Sequence, residues 1–421
     1  MIMNIIRSNP RGWFIVFVLF SAISFSFSAR MSLPVLIPGW EMEFGWSRTL
    51  MTVGAAVIMI IMGSVAPFAG HLQDKFGPRY LVSGGMILSG AAVAVTALMG
   101  TDALPLTATW VFFSIYCVTS AAGYGMISLP VVTATIARNF DENRGLATSI
   151  GTSGVGGGQL IFIPVIAWAV TAIGWRPTLA AFGLAIVLIG IGSFFLLDND
   201  QPDAKPESSE LKTTATLGAK LSYIFRSPVF WLLGGAYVIC GFTTAGVVKV
   251  HLIPYAKACG FNLTTGAAAT GVLAGFDMVG MLISGFLTDR MSRPLLLGSV
   301  YFLRAITFIM LFFITDNVVL LFAFAVIFGT LDFATVPPTA GLVASHIGVN
   351  TMGLTMGIMF LGHSIGGALG SVTGGWMFDT FARYDWVWII ALALALLAAV
   401  LSWSVPEKRE TSPTGPVPAI A

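Results

Sequence analysis

The chain has 421 residues, of which 56% are hydrophobic and only 10% charged, with a net charge of +2 and a mean hydropathy of +0.89. A soluble chain carries about a quarter charged residues and its core stops growing at roughly 250–300 residues, so lipid must cover the remaining apolar surface. The small net charge excludes nucleic acid as a partner, and three scattered cysteines (Cys117, Cys240, Cys259) give neither a disulfide framework nor a metal-ligand spacing; no cofactor or metal is expected.

A membrane-spanning helix needs about 20 mostly apolar residues. Twelve segments meet that length, near 13–37, 50–72, 80–100, 106–137, 145–172 and 176–197, then 228–256, 265–288, 294–314, 317–346, 352–378 and 385–405. The first follows Arg7 and Arg11 and is too long and unbroken for a cleaved leader. The expected fold is therefore an all-α membrane protein of two six-helix bundles, 1–197 and 228–405, with a cytoplasmic linker at 198–227 and a cytoplasmic tail at 406–421. Orientation follows from the lysines and arginines. With both termini inside, fourteen fall on the cytoplasmic side, against Arg48, Arg176, Lys257 and Arg383 in the exposed outer loops. The expected location is the cell membrane, multi-pass, with both ends cytoplasmic. Arg30, Lys249 and Arg304 remain inside the spans.

The two halves repeat. "LIPGWEMEFGWSRT" (36–49) matches "LIPYAKACGFNLTT" (252–265), and "GHLQDK" (70–75) matches "GFLTDR" (285–290), at shifts of 216 for Pro38 to Pro254 and 215 for Asp74 to Asp289. A six-plus-six repeat is the signature of a transporter with its substrate site between two bundles.

"GHLQDKFGPRYLVSGG", with Asp74, Gly77 and Arg79, resembles the loop between helices 2 and 3 of the major facilitator superfamily. "EFGWSRTLMTVG", "IGWRPTLAAFG", "HLIPYAKACGF" and the run from "FATVPPTAG" to "GGWMFD" are similar to the monocarboxylate transporter group and its oxalate/formate antiporter-like relatives. The resemblance covers nearly the whole chain. It implies a secondary transporter that moves a small organic anion, a mono- or dicarboxylate, by alternating access, coupled to protons or to a counter-anion, and working as a monomer in the lipid bilayer. Two alternatives stand beside it. One is efflux of hydrophobic or drug-like compounds. The other is a non-transporting membrane sensor, for which the linker and tail supply no signalling domain. No phosphate loop, nucleophile motif or metal cluster suggests an enzyme.

Charges inside the spans are costly and mark function or pairing. Arg30 lies past the middle of the first segment among Ser24, Ser26, Ser28 and Ser32, a pattern expected to face water rather than lipid. The resemblance implies a substrate-binding cation at about this point; snorkelling to the headgroups is the alternative. Asp277, Arg304, Asp332 and His363 fall near mid-membrane depth, with Lys249 and His251 nearer the outer end of the seventh segment. Arg30, Lys249, His251 and His363 are the candidate substrate ligands, and His363, Asp277 and Asp332 the candidate proton carriers. Arg304 is read as a structural partner of one aspartate or as a substrate-linked charge. "GFDMVGM" resembles the family motif in which an Asp is followed four residues later by a carboxylate-binding Arg, but Met281 stands in that Arg position. Asp74, Arg79, Asp289, Arg290 and Arg293, in the turns after the second and eighth segments, are expected to latch the cytoplasmic side. The glycine clusters at 151–158 and 362–370 are expected at contacts between packed helices.

Overall fold

The computed structural model describes residues 9–100, 107–140, 144–197, 217–288, 290–348 and 351–407. Within these residues, twelve helical spans are long and apolar enough to cross a bilayer. They are α1 (Pro10–Phe44), α2 (Arg48–Val65, its helix continuing to Phe76), α3 (Pro78–Thr96), α4 (Ala108–Thr133), α5 (Ala147–Ile173) and α6 (Trp175–Leu196). The second half contributes α7 (Pro228–Ala258), α8 (Leu263–Thr288), α9 (Arg293–Leu311), α10 (Val318–His346), α11 (Leu354–Phe381) and α12 (Asp385–Trp403). Helices dominate because hydrocarbon offers no partner for a backbone N–H or C=O, so each segment must satisfy its own.

Helix ends follow local chemistry. The Asn9 side chain accepts from the Gly12 N–H at 2.9 Å to start α1, and Asn262 accepts from the Thr265 N–H at 2.7 Å at the head of α8. Several spans are interrupted within the membrane. In α1 the helix stops at Arg30 and resumes at Leu33. Pro34 has no N–H for the Arg30 carbonyl, which a continuous helix would require. In α4 and α7, wider π-helical turns occupy Val111–Thr119 and Gly241–Val248. In α10 a 3₁₀ turn at Phe333–Thr335 precedes Pro337 and Pro338.

Each half has its own apolar core, around Trp40, Phe112 and Tyr116 in the first and around Phe308, Phe328 and Trp388 in the second. The halves meet along α2 with α11, α5 with α8, and the end of α1 with α7. The glycine clusters serve close helix packing, both between the halves and within them. A Cβ on Gly156 would lie 2.6 Å from the Ala274 carbonyl of the other half, and Gly366 and Gly370 abut the backbone of Val238 and Phe242 within their own half. The hydrogen bonds joining the halves cluster at the end away from both termini, where Arg48, Thr49 and Thr52 meet Ser371, Asp379 and Tyr384.

Candidate substrate-binding site

Arg30 ends the first helical piece of α1 and its side chain is half-buried. Its Nη1 approaches Met62 Sδ at 3.6 Å, its guanidinium carbon stands 5.1 Å from the Phe27 ring centroid, and its Nε has no hydrogen-bond partner. Among the described residues no carboxylate pairs with it. The four serines around it are buried rather than wet, which corrects the expectation drawn from them. Ser24 Oγ donates to the Gly154 carbonyl at 2.9 Å, Ser28 Oγ to the Ser24 carbonyl at 2.7 Å, and Ser32 Oγ to the Ala29 carbonyl at 2.7 Å. Those three share one helix face, and their hydroxyls serve helix packing. Ser26 lies four residues before Arg30 and so shares its face; its Oγ, like Arg30 Nε, has no partner. Tyr124 of α4 was not anticipated. Its hydroxyl is buried without a partner, within electrostatic reach of Arg30. The signal in the sequence is a lone tyrosine between Gly123 and Gly125 in an apolar run.

The second half holds a charge cluster. Lys249 Nζ lies 3.1 Å from Asp277 Oδ2 and 2.7 Å from Asp332 Oδ2, with the Phe333 ring centroid 4.6 Å away. Lys249 therefore reaches the two aspartates with its ammonium from the outer half of α7. Two structural features bring the aspartates together. Gly280 lets α8 pack directly on the Thr330 carbonyl of α10. The 3₁₀ turn after Asp332 then sets the direction in which α10 continues. Asp277 Oδ1 has no hydrogen-bond partner.

Arg304 pairs with neither carboxylate. The fully buried guanidinium donates through Nη2 to the carbonyls of Leu331 at 2.7 Å and Asp332 at 2.8 Å, and through Nη1 to Cys240 Sγ at 3.2 Å. In place of the side-chain partner that a buried charge implies, the structure supplies main-chain acceptors.

His251 lies in the seam between the halves. Its Nε2 is 2.9 Å from the Ser371 carbonyl, which can only accept, so Nε2 carries the hydrogen; Nδ1 then accepts from the Tyr384 hydroxyl at 3.3 Å. Tyr384 in turn accepts from Arg48 Nη1 at 2.8 Å. Arg48 is 7% exposed, which corrects the expectation of an exposed loop residue. Its Nε pairs with Glu41 at 2.5 Å, and its guanidinium stacks 3.4 Å from the Phe378 ring centroid. Asp379 of α11 caps α2 across the interface, accepting from the Arg48 N–H at 3.1 Å and the Thr49 N–H at 2.7 Å. Charged hydrogen bonds of this kind contribute about 1.5–3 kcal/mol. Asp379→Ala is therefore expected to raise the population with this end open by roughly 10- to 150-fold. The measurement is thiol labelling of a cysteine at the buried Thr52, with Cys117, Cys240 and Cys259 replaced. Unchanged labelling would show that the cap does not hold the seam.

The Major Facilitator Superfamily model matches residues 18–370. The chain belongs to that superfamily. Among this transporter's relatives, an uncharacterised major-facilitator-type protein of Bacillus subtilis, YcxA, is 26% identical over 94% of the chain and 95% of its own length. Monocarboxylate transporter 13 of Bos taurus is 23% identical over 94% and 89%, and the oxalate:formate antiporter of Oxalobacter formigenes is 26% identical over 63% and 60%. The transporter also superposes on a crystal structure of a bacterial Spinster homologue, inward-facing and occupied, with a TM-score of 0.73 over 92% of this chain and 95% of that one at 14% identity. Family and relatives make it a membrane transporter rather than an enzyme, and the all-α, twelve-span fold agrees with theirs.

The remaining expected residues of the transporter are spread more widely. His363 of α11 is half-buried, its ring 5.1 Å from that of Tyr237 and stacked 6.1 Å from that of Phe360. Arg79 lies over the Phe194 ring at 4.0 Å, Arg290 over Phe286 at 3.5 Å, and Arg293 donates to the Gly341 carbonyl at 3.3 Å. These three contacts stay within one half. The Asp74 side chain and Asp289, like residues 198–216 of the linker and the tail from 408, lie outside the described residues.

Proposed function

We propose that this transporter carries a small organic anion bearing one carboxylate, with Arg30 as its receptor and a proton as the coupled ion. One observation carries the reading. Lys249 is matched by two carboxylates and Arg304 by main-chain carbonyls, whereas the half-buried Arg30 has no carboxylate partner among the described residues. A single unmatched cation suits a monoanion; a dicarboxylate would leave one charge desolvated without a partner, which is costly. The unpartnered Tyr124 hydroxyl supplies a second donor toward the same carboxylate. The names of the monocarboxylate and oxalate:formate relatives support an organic anion.

Coupling is assigned to the Lys249 cluster. Asp332 faces Lys249 and lies beside Arg304, whereas Asp277 faces Lys249 with no second cation beside it; each aspartate keeps one oxygen without a hydrogen-bond partner. Asp277 is the carboxylate that exchanges the proton, and Asp332 holds Lys249 in place. His363 is a second titratable group on the path. His251 is assigned to the seam, not to the substrate. The excess of lysines and arginines on one side supports cytoplasmic termini, a cell-membrane location and a seam on the outer face. Access to Arg30 is then from inside in this conformation, the opposite state being latched by Asp74, Asp289 and their arginines. The protein works as a monomer.

The test is competition in proteoliposomes. Uptake of a radiolabelled short monocarboxylate should accelerate under an acid-outside gradient, and equimolar dicarboxylates should compete at least tenfold less well than monocarboxylates. Equal competition would reject the one-carboxylate reading. Uptake indifferent to the proton gradient but accelerated by a counter-anion inside would replace symport by exchange.

A further inference from the structure

Arg304 is the most deeply buried cation in the second half, yet its hydrogen bonds go to no carboxylate. Its acceptors share one place in the chain. Leu331 and Asp332 close the α-helical part of α10, and the 3₁₀ turn of Phe333–Thr335 follows directly. A continuous helix would lose two bonds here, because Pro337 and Pro338 offer no N–H to the carbonyls of Phe333 and Ala334. Ser284 of α8 donates to the Ala334 carbonyl at 2.5 Å. Arg304 occupies the Leu331 and Asp332 carbonyls from α9. The break is thus held from two neighbouring helices, and it begins directly after Asp332, whose carboxylate lies 2.7 Å from Lys249 Nζ.

We infer that Arg304 is a positioning residue that acts through the main chain of α10: it fixes the break, keeps Asp332 ionised against Lys249, and so leaves Asp277 as the carboxyl that exchanges the proton. The inference rests on the proton-coupled reading above. Every titratable or charged group around Asp332 enters the balance. Lys249 comes from α7 and Asp277 from α8; α9 supplies Arg304 and Tyr301; Cys240 and Tyr237 add to the α7 side, and His363 comes from α11. With Lys249 and Arg304 positive and both aspartates negative, the cluster is neutral. Protonating Asp277 leaves it one charge positive.

The experiment separates position from coupling. Infrared difference spectroscopy of the purified transporter follows the protonated-carboxyl stretching band against pH, alongside the pH profile of uptake. In the wild type, one band titrates, and it disappears in Asp277→Asn. In Arg304→Gln, which keeps an amide donor but loses the charge, Asp332 should begin to protonate, adding a second band or moving the midpoint up by roughly one pH unit or more. Arg304→Lys, which keeps the charge, should restore the wild-type midpoint. A wild-type titration in Arg304→Gln overturns the inference. If that variant does not fold, the Asp277→Asn background carries the test, since only Asp332 then remains in the cluster; a carboxyl band across the transport pH range would overturn the inference there. If the band responds to Arg304 while wild-type uptake ignores the proton gradient, the coupling reading fails and the positioning role stands.

Discussion

Replacing Arg30 by alanine is expected to abolish measurable uptake of the anion. A charged hydrogen bond to a partly desolvated carboxylate contributes about 1.5–3 kcal/mol, which is roughly 10- to 150-fold in affinity. Arg30→Lys should recover only part of this, because an ammonium lacks the planar fork that holds both carboxylate oxygens. Tyr124→Phe removes one neutral donor and should weaken binding about fivefold. The control is Arg383→Ala, an exposed side chain paired at 3.4 Å with Asp385, where transport should be unchanged. Initial rates at limiting and saturating substrate, corrected for reconstituted protein, separate binding from turnover. Wild-type affinity in Arg30→Ala would remove this residue from the substrate site. Full activity in Arg30→Lys would favour a snorkelling role, for which lysine serves equally well.

The second large effect is expected at Lys249. Lys249→Met leaves Asp277 and Asp332 facing one another without the ammonium that lies 3.1 and 2.7 Å from them. Removing one partner from a buried ion pair destabilises by about 3–5 kcal/mol, so the variant should unfold at a clearly lower temperature in detergent. Adding Asp332→Asn removes one of the stranded charges and should restore most of the stability, while proton-driven uptake stays absent. The pair of measurements distinguishes a cluster that only holds helices together from one that also moves a proton. If the double variant transported at the wild-type rate under a proton gradient, the cluster would be purely structural.

The fold was legible because spans in lipid announce themselves by length and hydropathy, and the 215–216 residue repeat showed the two halves directly. Individual charges were harder to place. Depth along a helix can be counted at a fixed rise per residue, but a lysine ammonium ends several ångströms from its Cα, so the position of Lys249 did not reveal that it meets Asp277 and Asp332. Arg304 was legible as a buried charge and illegible in its partners, since no residue pattern marks the main-chain carbonyls at a helix break as acceptors. Arg48 looked like any loop arginine. Its burial depends on Asp379, Phe378 and Tyr384, more than 300 positions along the chain, and only tertiary structure brings those together. The serines near Arg30 misled because alternate positions on a helix point to different faces. Only Ser26 shares the Arg30 face, whereas the other three serve helix packing.

The Lys249 triad also constrains how the chain is made. Its three charges arrive in the bilayer on different segments, and each alone adds about 2.5–3.5 kcal/mol to the insertion of its helix. Lys249 and Asp277 emerge on consecutive spans, α7 and α8, so they can enter as a hairpin that is already neutral. Asp332 follows two spans later, and Arg304 comes between, on α9. A nascent chain that has released α9 but not α10 therefore carries an unmatched guanidinium, whose acceptors are carbonyls not yet synthesised. The second half can settle only when α10 threads in beside α8 and α9 and brings the carbonyls of Leu331 and Asp332 to Arg304. The order of translation thus leaves α9 as the segment that must wait at the insertion machinery, and chains truncated between Asp316 and Val336 should be the ones cleared most rapidly by membrane proteolysis.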